Sequence, residues 1–352
     1  MNRRRFLQMV ASTSVLGGAR LGWASALGYK FVFIGAADGI HVYSIAADGR
    51  FTHEQMIASA YPMAMAISRG HIYVANGVSE FGNLPRATAE AYAIDAVTGR
   101  LEFKNRVPLS LSGILPRDLA VAPDGRSMVV AVHGGGAYNV LLIHEDGRLG
   151  RVSGIFKETG SGPHVLQSTA HPSAVIFDAA GCVLTADEGS DKLSVFSLSD
   201  GRLAATGRWE LPAGSGPSRI VMHPDGQRLY VANALNETLS RFGYDGDTLD
   251  HRQTVSTGSE VRSLAMHPAG ETLYTAHGNG VRVWKISTAG MESRAEVECK
   301  QPSHLYVTPD GNTLLALTDE AVLGMNIDES GGVRARPVKR ASISRPLSIA
   351  VM

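Results

Sequence analysis

One short motif, a proline followed by two variable residues and then alternating apolar positions, recurs seven times along this chain. The copies are "YPMAMAIS", "LPRDLAVAPDG", "HPSAVIFDAAG", "GPSRIVMHPDG", "EVRSLAMHPAG", "QPSHLYVTPDG" and "RPLSIAVM", with Val261 standing in for proline in the fifth. Period-2 alternation followed by a Pro-Asp-Gly type turn predicts a strand and a tight turn. After each of the first six copies comes a pair of apolar runs with hairpin character, such as "RLYVANALNETLSRFGY" and "TLYTAHGNGVRVWKI". Repetition at this length, with no helical pattern between copies, points to a radial array of small sheets.

The seventh copy, "RPLSIAVM", stands last in the sequence, whereas "KFVFIGAADGIHVYSI" near the start is a strand pair with no leading motif. Joining the two completes a ring and removes the exposed edges of an open array. Residues 27–352 then divide into seven units of about 47 residues, the size of a four-stranded blade. The expectation is an all-β, single-domain, seven-bladed β-propeller closed by pairing of the C-terminal strand with the N-terminal strands. The 39 glycines and 15 prolines suit that many turns. Two stretches break the spacing, "GVSEFGNLPRATAE" in the second unit and "GIFKETGSGPHVLQSTA" between the third and fourth. Both predict long loops on a propeller face, where they are either tolerated decoration or walls of a ligand site.

Residues 1–26 stand apart. A basic start, a modestly apolar middle and Ala24-Ser25-Ala26 form a cleavable export signal. Arg3-Arg4-x-Phe6-Leu7 is similar to the twin-arginine signature, which implies a folded protein delivered to the periplasm or secreted. Gly17, Gly18 and Arg20 interrupt the apolar run too early for a membrane span. Lys plus Arg equal Asp plus Glu at 33 each, so no electrostatic footprint calls for nucleic acid or an anionic membrane. The two cysteines, Cys182 and Cys299, are too few for a disulfide framework and lack metal-type spacing. Cys182 falls in a strand pattern as a small apolar residue. No serine-hydrolase elbow, zincin motif, phosphate loop or haem attachment site occurs, so neither a cofactor nor a metal site is expected.

Over most of 27–352 the chain resembles the lactonase family of seven-bladed propellers, whose best-known members hydrolyse 6-phosphogluconolactone. The resemblance rests on "ADEGSDKLSVFSL", "GSGPSRIVMHPDGQRLYVAN" and "QTVSTGSEVRSLAMHPAGETLY", with "PRDLAVAPDG" and "HGGGAYNVLLIHEDGRL" fitting more loosely. The polar positions diverge. The family's His-x-His is here His171-Pro172-Ser173, and its Gly-Pro-Arg-His is Gly216-Pro217-Ser218-Arg219, with Arg one place later. Its Asn-Glu pair is Asn233-Ala234, a Glu becomes Ser263, and an Asn-Arg-Gly is shortened to His277-Gly278-Asn279. Asp187, Gly189 and Asp191 match.

The resemblance implies hydrolysis of a sugar-derived lactone, with a substrate altered from the phosphorylated sugar, since phosphorylated sugar lactones are cytoplasmic metabolites. Such a reaction needs a base to activate water and donors for the oxyanion. Residues at the entry of each innermost strand can face the central channel, so the two positions after each motif proline are the ones to inspect. The expected catalytic set is His171, Arg219 and His304. The expected substrate-binding set is Arg117, Asp118, His133, Asp187, Arg262 and His277. His223 and His267, in the His-Pro turns, are expected to be structural. The partner is a small lactone or sugar ligand, with a protein partner left open. A propeller that has lost catalysis and binds a ligand or a protein is the alternative.

Overall fold

A computed structural model describes residues 30–352 and contains only strands, arranged as seven four-stranded antiparallel sheets. The expected export signal, residues 1–26, lies outside the described residues. Blades 2 to 7 are each continuous in sequence, spanning 62–108, 114–157, 172–210, 217–256, 263–298 and 304–342. Blade 1 takes three strands from 31–57, and its innermost strand is Pro346–Val351, paired antiparallel with Phe31–Ala36. The first motif element therefore forms the innermost strand of every sheet.

No single central core exists. The buried apolar residues fall into seven clusters, one in each wedge between neighbouring blades. Tyr73, Tyr230 and Tyr274, at matching places in second strands, are almost fully buried in three of these wedges. The second strands of blades 4 and 5 are buried along nearly their whole length because they pack against a sheet on either side, whereas the outermost strands of blades 5 and 6 are mostly exposed. Cys182 and Cys299 are unbonded to each other and belong to two of the apolar clusters, with Cys299 buried. Burial raises both thiols, Cys299 to about 11.

Polar stitches join one blade to the next. His223 Nε2 lies 2.8 Å from the Gly270 carbonyl and His267 Nε2 lies 3.0 Å from that of Gly311, so both His-Pro turns reach the next blade's turn. Near the channel, Ser173 donates to the Pro217 carbonyl at 2.6 Å and Ser348 to that of Pro62 at 2.6 Å. Asp118 accepts from the Val175 N–H at 3.0 Å, and Ser263 accepts from that of Leu305 at 3.0 Å.

The motif proline has a local consequence that builds the site. In blades 1 to 5 the pairing of the innermost strand shifts at the residue just after the proline, which is Leu347, Met63, Arg117, Ser173 or Ser218. Proline has no N–H to give to the ladder, and the extra residue is a β-bulge that re-aims its neighbours. Register then resumes at Ala64, Asp118, Ala174, Arg219 and Ser348. In blades 6 and 7 the equivalent places are Ser263 and His304. Three of these seven positions carry ionisable groups, Asp118, Arg219 and His304, set on alternate blades.

Candidate active site at the channel mouth

The channel holds one cavity of about 640 Å³ along the innermost strands and another of about 620 Å³ at the end where those strands begin. Met63, Arg117, Arg219 and His304 wall both, so they stand at the neck between them. Asp118 and Ser263 face the inner cavity, while Ser303, Asp319, Glu320 and Arg345 rim the outer one.

The electrostatics of the neck are unusual. Burial and the neighbouring Arg117 pull the Arg219 guanidinium below its ordinary value, while Asp118, Glu188 and Glu260 oppose that. It remains a cation, and its Nη1 donates to the Ser218 carbonyl at 2.8 Å. Burial pushes His304 down to about 3, with Arg219 and Arg117 adding to the effect. A protonated imidazole there would be desolvated beside two guanidiniums, so His304 is neutral near pH 7 and offers a hydrogen bond without charge. Burial also lifts the Asp118 carboxyl to about 6, against the two backbone N–H groups it accepts and the attraction of Arg219.

A second group adjoins the neck through Arg117. Glu188 Oε2 lies 3.9 Å from Arg117 Nη2 and 3.6 Å from His133 Nε2. The His133 and His171 rings are stacked, with centroids 4.3 Å apart and planes 10° from parallel. His171 Nδ1 lies 3.2 Å from the His133 carbonyl. A carbonyl only accepts, so Nδ1 carries the proton and Nε2 keeps its lone pair. Gly189 allows this packing, since a Cβ there would lie 2.0 Å from the Thr169 carbonyl and 2.8 Å from His171 Cδ2. Burial raises Glu188, but His133, Arg117 and Arg219 outweigh it and hold the carboxyl below its usual range.

The lactonase seven-bladed β-propeller family model matches residues 28–316. This chain belongs to that family. Among curated relatives, a 6-phosphogluconolactonase of Bacillus subtilis is 25% identical over 222 residues, covering 62% of either chain. A 6-phosphogluconolactonase of Klebsiella pneumoniae is 28% identical over 206 residues, covering 57% of this chain and 56% of its own. The chain thus matches only about three fifths of the length of these curated relatives. Among solved structures, the Pseudomonas aeruginosa periplasmic gluconolactonase PpgL superposes with a TM-score of 0.84 at 21% identity, covering 92% of this chain and 99% of its own. A protein from Bacteroides fragilis described as a putative 6-phosphogluconolactonase gives 0.84 at 22%, covering 92% and 98%. At such identities the superpositions establish the fold alone.

For this lactonase-family propeller, the structure sorts the residues that the sequence singled out. Arg117, Asp118, Arg219 and His304 come together in the channel. His171 does not wall either cavity; it is linked to the neck through His133, Glu188 and Arg117. Asp187 is buried and serves the hairpin turn, its Oδ1 accepting from the His171 and Ser190 N–H groups at 3.0 and 2.9 Å. Its carboxyl is raised by burial against those bonds. Arg262 walls neither cavity and has Glu260 at 3.9 Å, both side chains more than a third exposed.

His277 is a correction. It is buried inside blade 6 between Ser259 and Thr275, at 2.9 and 2.7 Å, and burial lowers its imidazole. Its place in the loop after the second strand looked the same as that of His133, but its partners there occupy both ring nitrogens. Two residues escaped notice in the sequence. Met63 is a neck residue hidden in an apolar run, and Glu188 sits between two acidic turn-formers in "ADEGSD". Among the described residues, no three His, Cys, Asp or Glu side chains are grouped as metal ligands.

Proposed function

We propose that the channel mouth hydrolyses a sugar-derived lactone, with a substrate altered from that of the phosphogluconolactonases. The observation that carries this reading is the convergence of two guanidiniums, Arg117 and Arg219, with a neutral imidazole, His304, on one polar cavity in a lactonase-family propeller. Arg219 and His304 donate to the carbonyl oxygen as it gains charge. His171 stands outside both cavities, so the reacting water is drawn from its side of the mouth: this water loses a proton to the free Nε2 of His171 and adds to the carbonyl carbon. The tetrahedral intermediate then expels the ring oxygen, which takes that proton to become a hydroxyl. The product is a hydroxy acid, whose new carboxyl group releases its remaining proton to solvent and faces Arg117 as a carboxylate. Burial and the two guanidiniums disfavour the protonated imidazole of His304, which suits it to donating a hydrogen bond rather than to taking the proton from water.

Ser218 and Ala234 stand where the family carries charged groups, and this supports a changed substrate. The PpgL protein is itself described as a periplasmic gluconolactonase. Together with the signal-like residues 1–26, that supports export to the periplasm and an unphosphorylated lactone. Among the described residues no helix is long and apolar enough to cross a membrane.

The test is a pH-stat assay on a panel of gluconolactone-type substrates, phosphorylated and not. Hydrolysis that His171→Ala and Arg219→Ala both abolish is the expected result. A folded protein inert on every lactone overturns the reading and leaves a binding propeller.

A further inference from the structure

We infer that Glu188 is the positioning carboxylate of the mouth, holding His133 and Arg117 in place so that the stacked His171 presents its free nitrogen to water. This rests on the lactonase reading above and adds a residue to it.

The turn that contains Glu188 does not need its side chain. The two aspartates of that turn do the structural work: Asp187 accepts two backbone N–H groups, and Asp191 accepts from the N–H groups of Gly214 and Gly216 at 2.7 Å each and from Gln167 Nε2 at 2.7 Å. The Glu188 backbone is independently fixed, its N–H donating to the His171 carbonyl at 3.0 Å and its carbonyl accepting from Gln167 Nε2 at 2.8 Å. Gln167 is fully buried and comes from the long 158–171 connection, so that insertion clamps this segment. What remains is a carboxylate with 14% of its side chain exposed, one oxygen of which accepts no hydrogen bond, aimed at an imidazole and a guanidinium. A carboxylate that its own turn does not use, placed beside an imidazole and a guanidinium, is arranged to align them.

The experiment compares wild type, Glu188→Gln and Glu188→Asp in the full chain. ¹⁵N spectra of the histidine rings at pH 7 read the His133–Glu188 contact, and kcat on glucono-1,5-lactone reads alignment. The expected result is a change in the His133 ring-nitrogen shifts in Glu188→Gln and a fall in kcat on the order of 10- to 100-fold at little-changed KM. Glu188→Asp, which keeps the charge, recovers part of both. Unchanged His133 shifts and unchanged kcat in Glu188→Gln overturn the inference. So does an equal loss in both variants that tracks a lowered melting temperature, since that marks a structural role. If wild type does not hydrolyse the lactone, the functional reading fails, and the ring-nitrogen shifts still decide whether Glu188 holds His133.

Discussion

Two glutamates, one within the third strand of blade 2 and one in the turn after the second strand of blade 4, differ in burial and in how completely they are bonded. Glu90 is fully buried and saturated. Its Oε2 accepts from Ser59 Oγ at 2.5 Å, Tyr92 Oη at 2.8 Å and Asn76 Nδ2 at 3.1 Å, while Oε1 accepts from Arg106 Nε at 2.6 Å. Glu188 has Arg117 and His133 near it, yet its Oε2 accepts nothing. A closed network fixes one packing of its wedge, whereas Glu188 reaches Arg117, which walls the neck, and His133 beside it. The difference separates a carboxylate that holds the blades from one that serves the mouth.

The largest expected effect falls on the closed network. Glu90→Ala strands Asn76, Ser59, Tyr92 and the Arg106 guanidinium. Removing one partner of a buried pair costs about 3–5 kcal/mol, and the partial exposure of Arg106 puts this case at the lower end. Urea unfolding measures it. A loss under about 1 kcal/mol would mean that the network relaxes around the gap, and the contrast with Glu188 would collapse.

Next in size is the neck itself. Arg219→Ala is expected to lower kcat/KM on a responsive lactone by about 10²- to 10³-fold, the usual worth of an oxyanion donor. Stability should change little beside the Glu90 variant. A matched loss of stability and rate would move Arg219 from the reaction to the framework.

Asp118 and His304 give a pH signature of opposite signs. The native Asp118 carboxyl titrates near 6 while the unfolded one releases its proton near 3.8. The native state therefore binds the extra proton between those values, and this contribution to stability is lost as pH rises from about 4 to 6. The full difference, 6 − 3.8 = 2.2 units, corresponds to about 3 kcal/mol at most. His304, lowered from 6.5 to about 3, acts in the other direction, so its contribution is lost as pH falls through that window. The wild-type profile alone mixes the two. Comparing urea unfolding at pH 4 and pH 7 for wild type and Asp118→Asn isolates the carboxyl, since constant effects of the substitution cancel. Going from pH 4 to pH 7, the variant should gain stability relative to wild type by up to that amount. An identical change in both proteins would mean that the carboxyl is better solvated than its position in the channel implies.

The blades were legible in sequence because each rests on local chemistry. A proline at strand entry, alternation, and a Pro-Asp-Gly or His-Pro turn are covalent and steric preferences written into consecutive residues. The site was legible in part. Arg117, Asp118, Arg219 and His304 could be named because position after the motif proline sets which way a side chain points. Which residue of each pair faces the channel depends on the bulge, and a bulge leaves no mark in an apolar–polar pattern. The departures of His277 and Glu188 have another origin. Both lie where the second strand gives way to the third, His277 as the last strand residue and Glu188 as the first residue of the turn, and there the sequence looks alike from blade to blade. Whether such a residue is sealed in or opens on the mouth depends on what the preceding part of the chain offers it. For His277 that is Ser259 in the connection from blade 5, and for Glu188 it is Arg117 of blade 3.

The smallest expected effect concerns the rim just outside the neck. Tyr61, Leu115, Gln301 and Arg345 each precede a motif proline and have φ of 52°, 54°, 50° and 50°. In blade 5 the same position is Gly216, with φ 61°, and glycine adopts that region without penalty. The other four carry a side chain through left-handed backbone at a cost of about 1–2 kcal/mol each. Leu115 is 49% exposed, so packing recovers little of that cost. Leu115→Gly relieves the strain but adds freedom to the unfolded chain, and the two nearly offset. The net change should stay within about 1 kcal/mol. Leu119→Ala, four residues on and 5% exposed in the wedge between blades 2 and 3, should cost about 2–5 kcal/mol. If Leu115→Gly is as harmless as this and yet raises KM for a lactone substrate, the strained rim residue is held for contact with the ligand. If it destabilises as much as Leu119→Ala, Leu115 packs the blade, and the line between framework and mouth must be drawn further out.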